Sequence, residues 1–221
     1  MPRGFHKTAQ FFQYLGLSLE MANTKIPENE REMKKKLRKI CQIPKMSTFA
    51  IAALINQGIA QMHESQSFVN VGVWNGFTFL AGMANHRQKK CIGVDNFSQF
   101  GGPKEDFLKR FNELKSERHL FYDLDYEEYF SKIHQEPIGF YIYDGEHSYD
   151  NQLKGLKIAE PFFAKNCLVL VDDTRKSDPK QATLDFIKQS PHQYKMILDC
   201  ATFQNGHPTF WNGIMLFQKF S

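Results

Sequence analysis

The chain has 221 residues, 42% of them hydrophobic and 21 of them phenylalanine, with a formal net charge of +4. That is enough apolar material for one α/β domain with an added segment, but too little length for two full domains, and the charge is too small to demand a polyanionic partner. No apolar run is long enough to span a membrane and no apolar leader precedes a small-residue cleavage site, so the expectation is a cytoplasmic protein with no membrane partner.

In chain order, residues 1–65 contain helix signals and no strand. Phe11, Phe12, Leu15 and Leu19 mark one helical face. Met33, Leu37 and Ile40 mark a second within the basic run Arg31–Lys39, whose lysines are expected on a solvated face. Phe49, Ile51, Ala52, Leu54, Ile55 and Ile59 mark a third, and Pro27 and Pro44 punctuate between them. This N-terminal helical extension is expected to cover a cleft or to form a homodimer contact.

From residue 66 to 221 the pattern alternates. Strands are expected at Ser67–Val71, Cys91–Val94, Leu120–Leu124, Ile138–Tyr143, Cys167–Val171, Lys195–Leu198 and Trp211–Phe217. Helices are expected at Thr78–His86, Glu105–Lys115, Asn151–Ala159 and Pro179–Gln189, the last with Asp178 as its N-cap. Continuous apolar strands separated by helices predict a doubly wound, mostly parallel seven-stranded sheet. The last two strands, separated only by a loop through Asn205-Gly-His-Pro208, must form an antiparallel hairpin. Cys41, Cys91, Cys167 and Cys200 form no Cys-x-x-Cys pair and are expected as free thiols, mostly buried.

Ligands of such sheets bind at the carboxyl ends of the strands. The turn after the first strand, with Asn70, Gly72 and Gly76, and the acid Asp95 after the second point to a nucleoside cofactor whose ribose hydroxyls Asp95 accepts. The Gly-x-x-x-Gly spacing is not the dinucleotide fingerprint, which disfavours a pyrophosphate. Further along, Tyr143-Asp-Gly-Glu-His-Ser-Tyr149 and Leu170-Val-Asp-Asp-Thr174 bring Asp144, Asp172 and Asp173 to two strand ends. An all-oxygen set suits a hard divalent ion, Mg²⁺ first, and His147 is then a proton acceptor beside it.

Taken together, Asn70-Val-Gly-Val-Trp-Asn-Gly76, Gly93-Val-Asp95, Tyr143-Asp-Gly-Glu-His-Ser-Tyr149 and Val171-Asp-Asp-Thr174 resemble the class I S-adenosylmethionine-dependent methyltransferases. The branch most resembled contains the macrocin-type sugar O-methyltransferases, and the likeness runs from about Ser67 to the C-terminus. It implies a Rossmann-like methyltransferase fold with Gly72 and Gly76 at the methionine end of S-adenosylmethionine, Asp95 on the ribose, and Asp125 and Tyr126 near the adenine. It also implies a metal at Asp144, Asp172 and Asp173, and His147 as base. Two departures stand out: Asn70 replaces the usual acid, and Ala164-Lys-Asn-Cys167 replaces a glycine-rich turn before the fifth strand.

The expected function is metal-assisted O-methylation of a small hydroxylated acceptor. Two alternatives remain: a nucleic-acid methyltransferase using the basic face, or a nucleoside-binding protein without catalysis. No aromatic residues interleave with the basic run and no Asn/Asp-Pro-Pro-Tyr motif occurs, which makes nucleic acid the weaker partner.

Overall fold

The structure, a computed structural model, describes residues 31–220. The expected helix around Phe11–Leu19 lies outside them. The described elements begin with α1 (Arg31–Leu37), a 3₁₀ turn (Ile40–Gln42) and α2 (Phe49–Gln61). There follow β1 (Ser67–Val71), α3 (Phe77–Met83), β2 (Lys90–Val94), α4 (Lys104–Leu114) and β3 (His119–Tyr122). Next come α5 (Tyr126–Lys132), β4 (Ile138–Tyr143), α6 (Tyr149–Ala159) and a second 3₁₀ turn (Glu160–Phe162). The chain closes with β5 (Phe163–Val171), α7 (Ser177–Gln189), β6 (Tyr194–Cys200) and β7 (Ile214–Lys219).

The seven strands form one sheet in the order β3-β2-β1-β4-β5-β7-β6. Six strands run in one direction, and β7 enters antiparallel between β5 and β6. The strand order reverses between β1 and β4, the position where sheets of this kind open a crevice at their carboxyl edge. Every residue of β1 and β4 is buried, as central strands covered on both faces require.

Phenylalanine fills the first face. Phe68 of β1, Phe79 of α3, Phe107 and Phe111 of α4 and Phe140 of β4 are all nearly or fully buried, each burial worth about 1.5–3 kcal/mol. On the other face Tyr129, Tyr141, Tyr143, Phe186 and Phe217 do the same under α5, α6 and α7. Tyr141 is fully buried, and its hydroxyl donates to the carbonyl of Gly155 at 2.8 Å, so its polar atom is not wasted in the core.

Helix α2 belongs to the same core as the sheet. Thr48 caps it, accepting from the amide of Ile51, and Ile51, Leu54, Ile55 and Ile59 are 0–2% exposed. Its one buried polar side chain, Asn56, donates to the carbonyls of Ala81 and Ala84 at 2.8 and 2.9 Å, satisfying the end of α3. The apolar residues of α2 are thus spent inside the chain, and the division drawn at residue 65 falls between two elements of one hydrophobic core. Leu37 and Ile40 are buried while Lys35 and Lys36 are exposed, as the spacing predicts. Cys91, Cys167 and Cys200 are buried free thiols and Cys41 is half-buried.

Two local expectations are corrected and one element is added. Asp178 is not the cap of α7: the helix begins at Ser177 behind Lys176, with Asp178 and Pro179 inside its first turn, where a missing N–H costs nothing. Ala164–Cys167 lies within β5 rather than before it. Pairing jumps from Phe163 opposite Ile138 to Leu168 opposite Phe140, so these residues bulge and Asn166 takes φ 67°. The short helix α5, charged and seven residues long, is an element the sequence reading did not name.

Candidate active site

A cavity of about 340 Å³ opens at the carboxyl ends of β1, β2, β4 and β5. That volume is in the range of small-molecule sites. Of the residues expected there, Gly72, Asp95, Asp125, Tyr126, Asp144, His147, Asp172 and Asp173 line its wall, and Asn70 and Gly76 do not.

The turn after β1 explains that division. Gly72 has φ 79°, and a Cβ on it would sit 2.0 Å from the carbonyl oxygen of Asp144. Its glycine is required by the close approach of β4, and the approach is what seats Asp144 beside the turn. Gly76, at φ 96°, is instead held by packing, since a Cβ would meet Phe107 and Leu80 within 3 Å. Asn70 is fully buried behind the turn, where its amide donates to the carbonyls of Val71 and Gly72 at 3.2 and 2.9 Å. An acid cannot donate these bonds, so the unusual asparagine has a local structural reason.

Asp95 ties two loops together. Its Oδ2 accepts from the amides of Val73 and Trp74, both at 2.8 Å, and its Oδ1 from the amide of Phe97 at 2.7 Å. A carboxylate has about four acceptor positions. With three in use, one acceptor position of Asp95 is left open at the cavity wall. Trp74 adds a second tie between the loops, donating from its indole to the carbonyl of Phe100 at 3.1 Å. At the far end Asp125 caps α5, accepting from the amide of Glu127, and the Tyr126 ring meets Tyr143 edge-on.

The acids converge around the imidazole of His147. Its Nε2 lies 3.6 Å from Oδ1 of Asp144 and 3.7 Å from Oδ2 of Asp173. Asp173 also pairs with the ammonium of Lys176 and accepts from the Asn212 amide at 2.8 Å. Burial raises the Asp144 carboxyl above its usual range, reinforced by Asp173 and Asp95 and opposed by His147. Burial and the neighbouring Asp144 and Asp173 raise Asp172 well above its usual range too. For His147 burial opposes the charged form, but Asp144 and Asp173 outweigh it and the pKa is raised above 6.5.

The expected cation can be tested against this arrangement. The donors are chemically right for Mg²⁺. Their placement is not: among the described residues no three carboxylate, imidazole or thiolate groups form a metal-ligating set. Asp173 already engages Lys176, Asn212 and His147. The residues as folded do not fit the ion. A nucleoside cofactor fares better, because the cavity is continuous from Tyr126 past Asp95 and Gly72 to His147.

Lys45, Ser47, Trp74, Lys176, Trp211 and Asn212 also line the cavity, and sequence reading named none of them as site residues. Most come from loops far apart in the chain. Lys176 alone carried a signal, three residues after Asp173 at the head of a helix.

Comparison with known proteins bears on this geometry directly. Residues 69–174 match the family model described as a methyltransferase domain. The matched segment carries the sequence pattern of a methyltransferase domain. It spans β1 to the end of β5, including the Gly72 turn, Asp95, His147 and all three acids. No protein of curated function matches the chain in sequence. Solved structures share its fold. The O-methyltransferase from Bacillus cereus, in complex with SAH, is 12% identical at TM-score 0.61, covering 97% of this chain and 99% of the other. The O-methyltransferase NovP is 13% identical at TM-score 0.62, covering 78% and 81%. An rRNA methylase from Streptococcus thermophilus is 13% identical at TM-score 0.56, covering 78% and 97%. Among the described residues no helix is long and apolar enough to cross a membrane.

Proposed function

We propose that this methyltransferase methylates a hydroxyl oxygen of a small acceptor. The observation that carries the reading is the His147 imidazole on the cavity wall, set between the carboxylates of Asp144 and Asp173. A hydroxyl is a weak nucleophile until it gives up its proton. His147 receives that proton, and the two carboxylates stabilise the imidazolium formed. S-adenosylmethionine, when bound, supplies a methyl group on a sulfonium. Held along the wall from Tyr126 past Asp95 to Gly72, it would give that methyl to the acceptor oxygen, the C–S electron pair leaving with sulfur. Gly72 and Asp95 hold the loops that align the two reactants, and alignment is the main thing such a displacement needs. No step of this chemistry runs through a metal ion.

Nucleic acid fits the cavity poorly. Its charged wall is dominated by carboxylates, including Asp95, Asp125, Glu127, Asp144 and Asp172, which repel a phosphate backbone. The basic face of α1 contributes no residue to it. A purely binding role leaves the His147 arrangement without a use.

The test is turnover with labelled S-adenosylmethionine against a panel of small hydroxylated compounds and against ribosomal RNA. Oxygen methylation of a small compound is expected, with His147→Ala slowing it by about 10²–10⁴-fold while SAH affinity stays unchanged. Label appearing only in RNA, or a fully active His147→Ala enzyme, would sink the reading.

A further inference from the structure

We propose that Lys45 and Ser47, in the segment leading into α2, form a carboxylate-binding subsite at the head of the cleft. Two lysines line the cavity. Lys176 is committed to Asp173. Lys45 is half-buried, and among the described residues it takes part in no ion pair. Its ammonium donates to the carbonyl of Cys41 and stands over the Phe77 ring, 5.2 Å from the centroid. A half-buried cation held in place on a wall otherwise rich in carboxylates is a specific attractor for an anionic group.

Ser47 is a second, independent sign. It lines the same cavity, is only 8% exposed, and its Oγ is buried with no hydrogen-bond partner in the protein. Orphaned buried hydroxyls are costly, and a ligand oxygen arriving there would relieve that cost. The segment is not free to drift, because Thr48 donates to the carbonyl of Thr209 while capping α2. One ammonium and one hydroxyl two residues apart match a carboxylate, which accepts from both.

Two carboxylates are candidates. One is the amino-acid end of the cofactor, favoured because Phe77 is the first residue after the Gly72–Gly76 turn. The other is a carboxylate on the acceptor, which would then be a hydroxy acid. The inference rests on the proposed methyltransferase cleft, but its first arm needs no acceptor and can be read even if oxygen methylation fails.

The experiment measures binding by calorimetry to the wild type, Lys45→Met, Lys45→Arg and Ser47→Ala. The probes are SAH and 5′-methylthioadenosine, which lacks the amino-acid end. With SAH present, 3,4-dihydroxybenzoate is then compared with its neutral amide. If the cofactor is the source, Lys45→Met weakens SAH by about 10- to 30-fold, leaves methylthioadenosine within about twofold, and Lys45→Arg restores most of the loss. If the acceptor is the source, SAH is unaffected and the benzoate loses its advantage over the amide. Ser47→Ala is expected to lower the same ligand's affinity by a smaller factor. The proposal is overturned if Lys45→Met shifts neither comparison, or weakens SAH and methylthioadenosine equally.

Discussion

Replacing Gly72 by alanine separates two costs that the structure assigns to different atoms. The residue sits at φ 79°, where an L-residue costs about 1–2 kcal/mol. Its added Cβ would lie 2.0 Å from the carbonyl oxygen of Asp144, so reaching an ordinary contact distance requires a displacement of about 1.3 Å. Little can yield: the Gly72 amide donates to Val94 and the Asp144 amide donates to Val71, both at 2.9 Å. Forced overpacking of that kind typically costs a further 1–3 kcal/mol or so. The expected destabilisation is about 2–5 kcal/mol, a fall in Tm of roughly 5–15 °C for a chain of this size. Gly101→Ala is the control, since Gly101 has φ 78° with nothing within 4 Å of its Cβ, and it should lose only the first part. Calorimetric melting of both variants, with SAH titration, checks the reasoning. If Gly72→Ala melts within about 2 °C of Gly101→Ala, the close approach of β4 is not what the glycine serves.

Asp95→Ala should leave three loop amides without acceptors and weaken SAH by about 1.5–3 kcal/mol; hydrogen exchange at Val73, Trp74 and Phe97 should accelerate in the same variant, and unchanged exchange would count against the two-loop tie. Acid should destabilise the fold through buried histidines. His134 donates from Nε2 to the Glu136 carbonyl and, neutral, accepts from the Tyr129 hydroxyl at Nδ1, and burial lowers it, His86 and His119 below the ordinary 6.5. The unfolded chain therefore binds more protons below 6.5, so stability is full above that pH and is lost as pH falls through 6.5 towards the lowered values. Urea melts across about pH 5 to 8 should show the midpoint dropping on the acid side, and a flat profile would contradict the burial assignment.

The sheet was legible because its central strands are buried on both faces and so read as unbroken apolar runs; β1 and β4 were placed to the residue. The hairpin followed from a loop too short for a helix. Errors cluster where backbone geometry departs from periodicity: the bulge at Ala164–Cys167 hides part of β5, and α7 starts ahead of its apparent cap. The acids expected at strand ends line one cavity, because strand direction fixes where they emerge. Gly76 and Asn70 lie in the expected turn but off the cavity wall, engaged by the turn's own packing and carbonyls. Lys45, Trp211 and Asn212 carry no local pattern at all, since they meet the acids only through tertiary contacts.

The place of β7 has a consequence for how the molecule comes into being. In the sheet order β6 has β7 as its only neighbour, and β7 also covers the edge of β5. During synthesis β6 emerges first and finds no partner, while β5 waits with an open edge. When residues 214–219 insert, both edges are closed at once. The same event draws in the preceding loop, where Asn212 and Gly213 accept backbone bonds from Arg175 and Thr174 and the Asn212 side chain reaches Asp173. The wall around His147 is therefore completed only after residues 214–219 have emerged, and a nascent polypeptide holding every acid and the histidine still lacks a finished cavity.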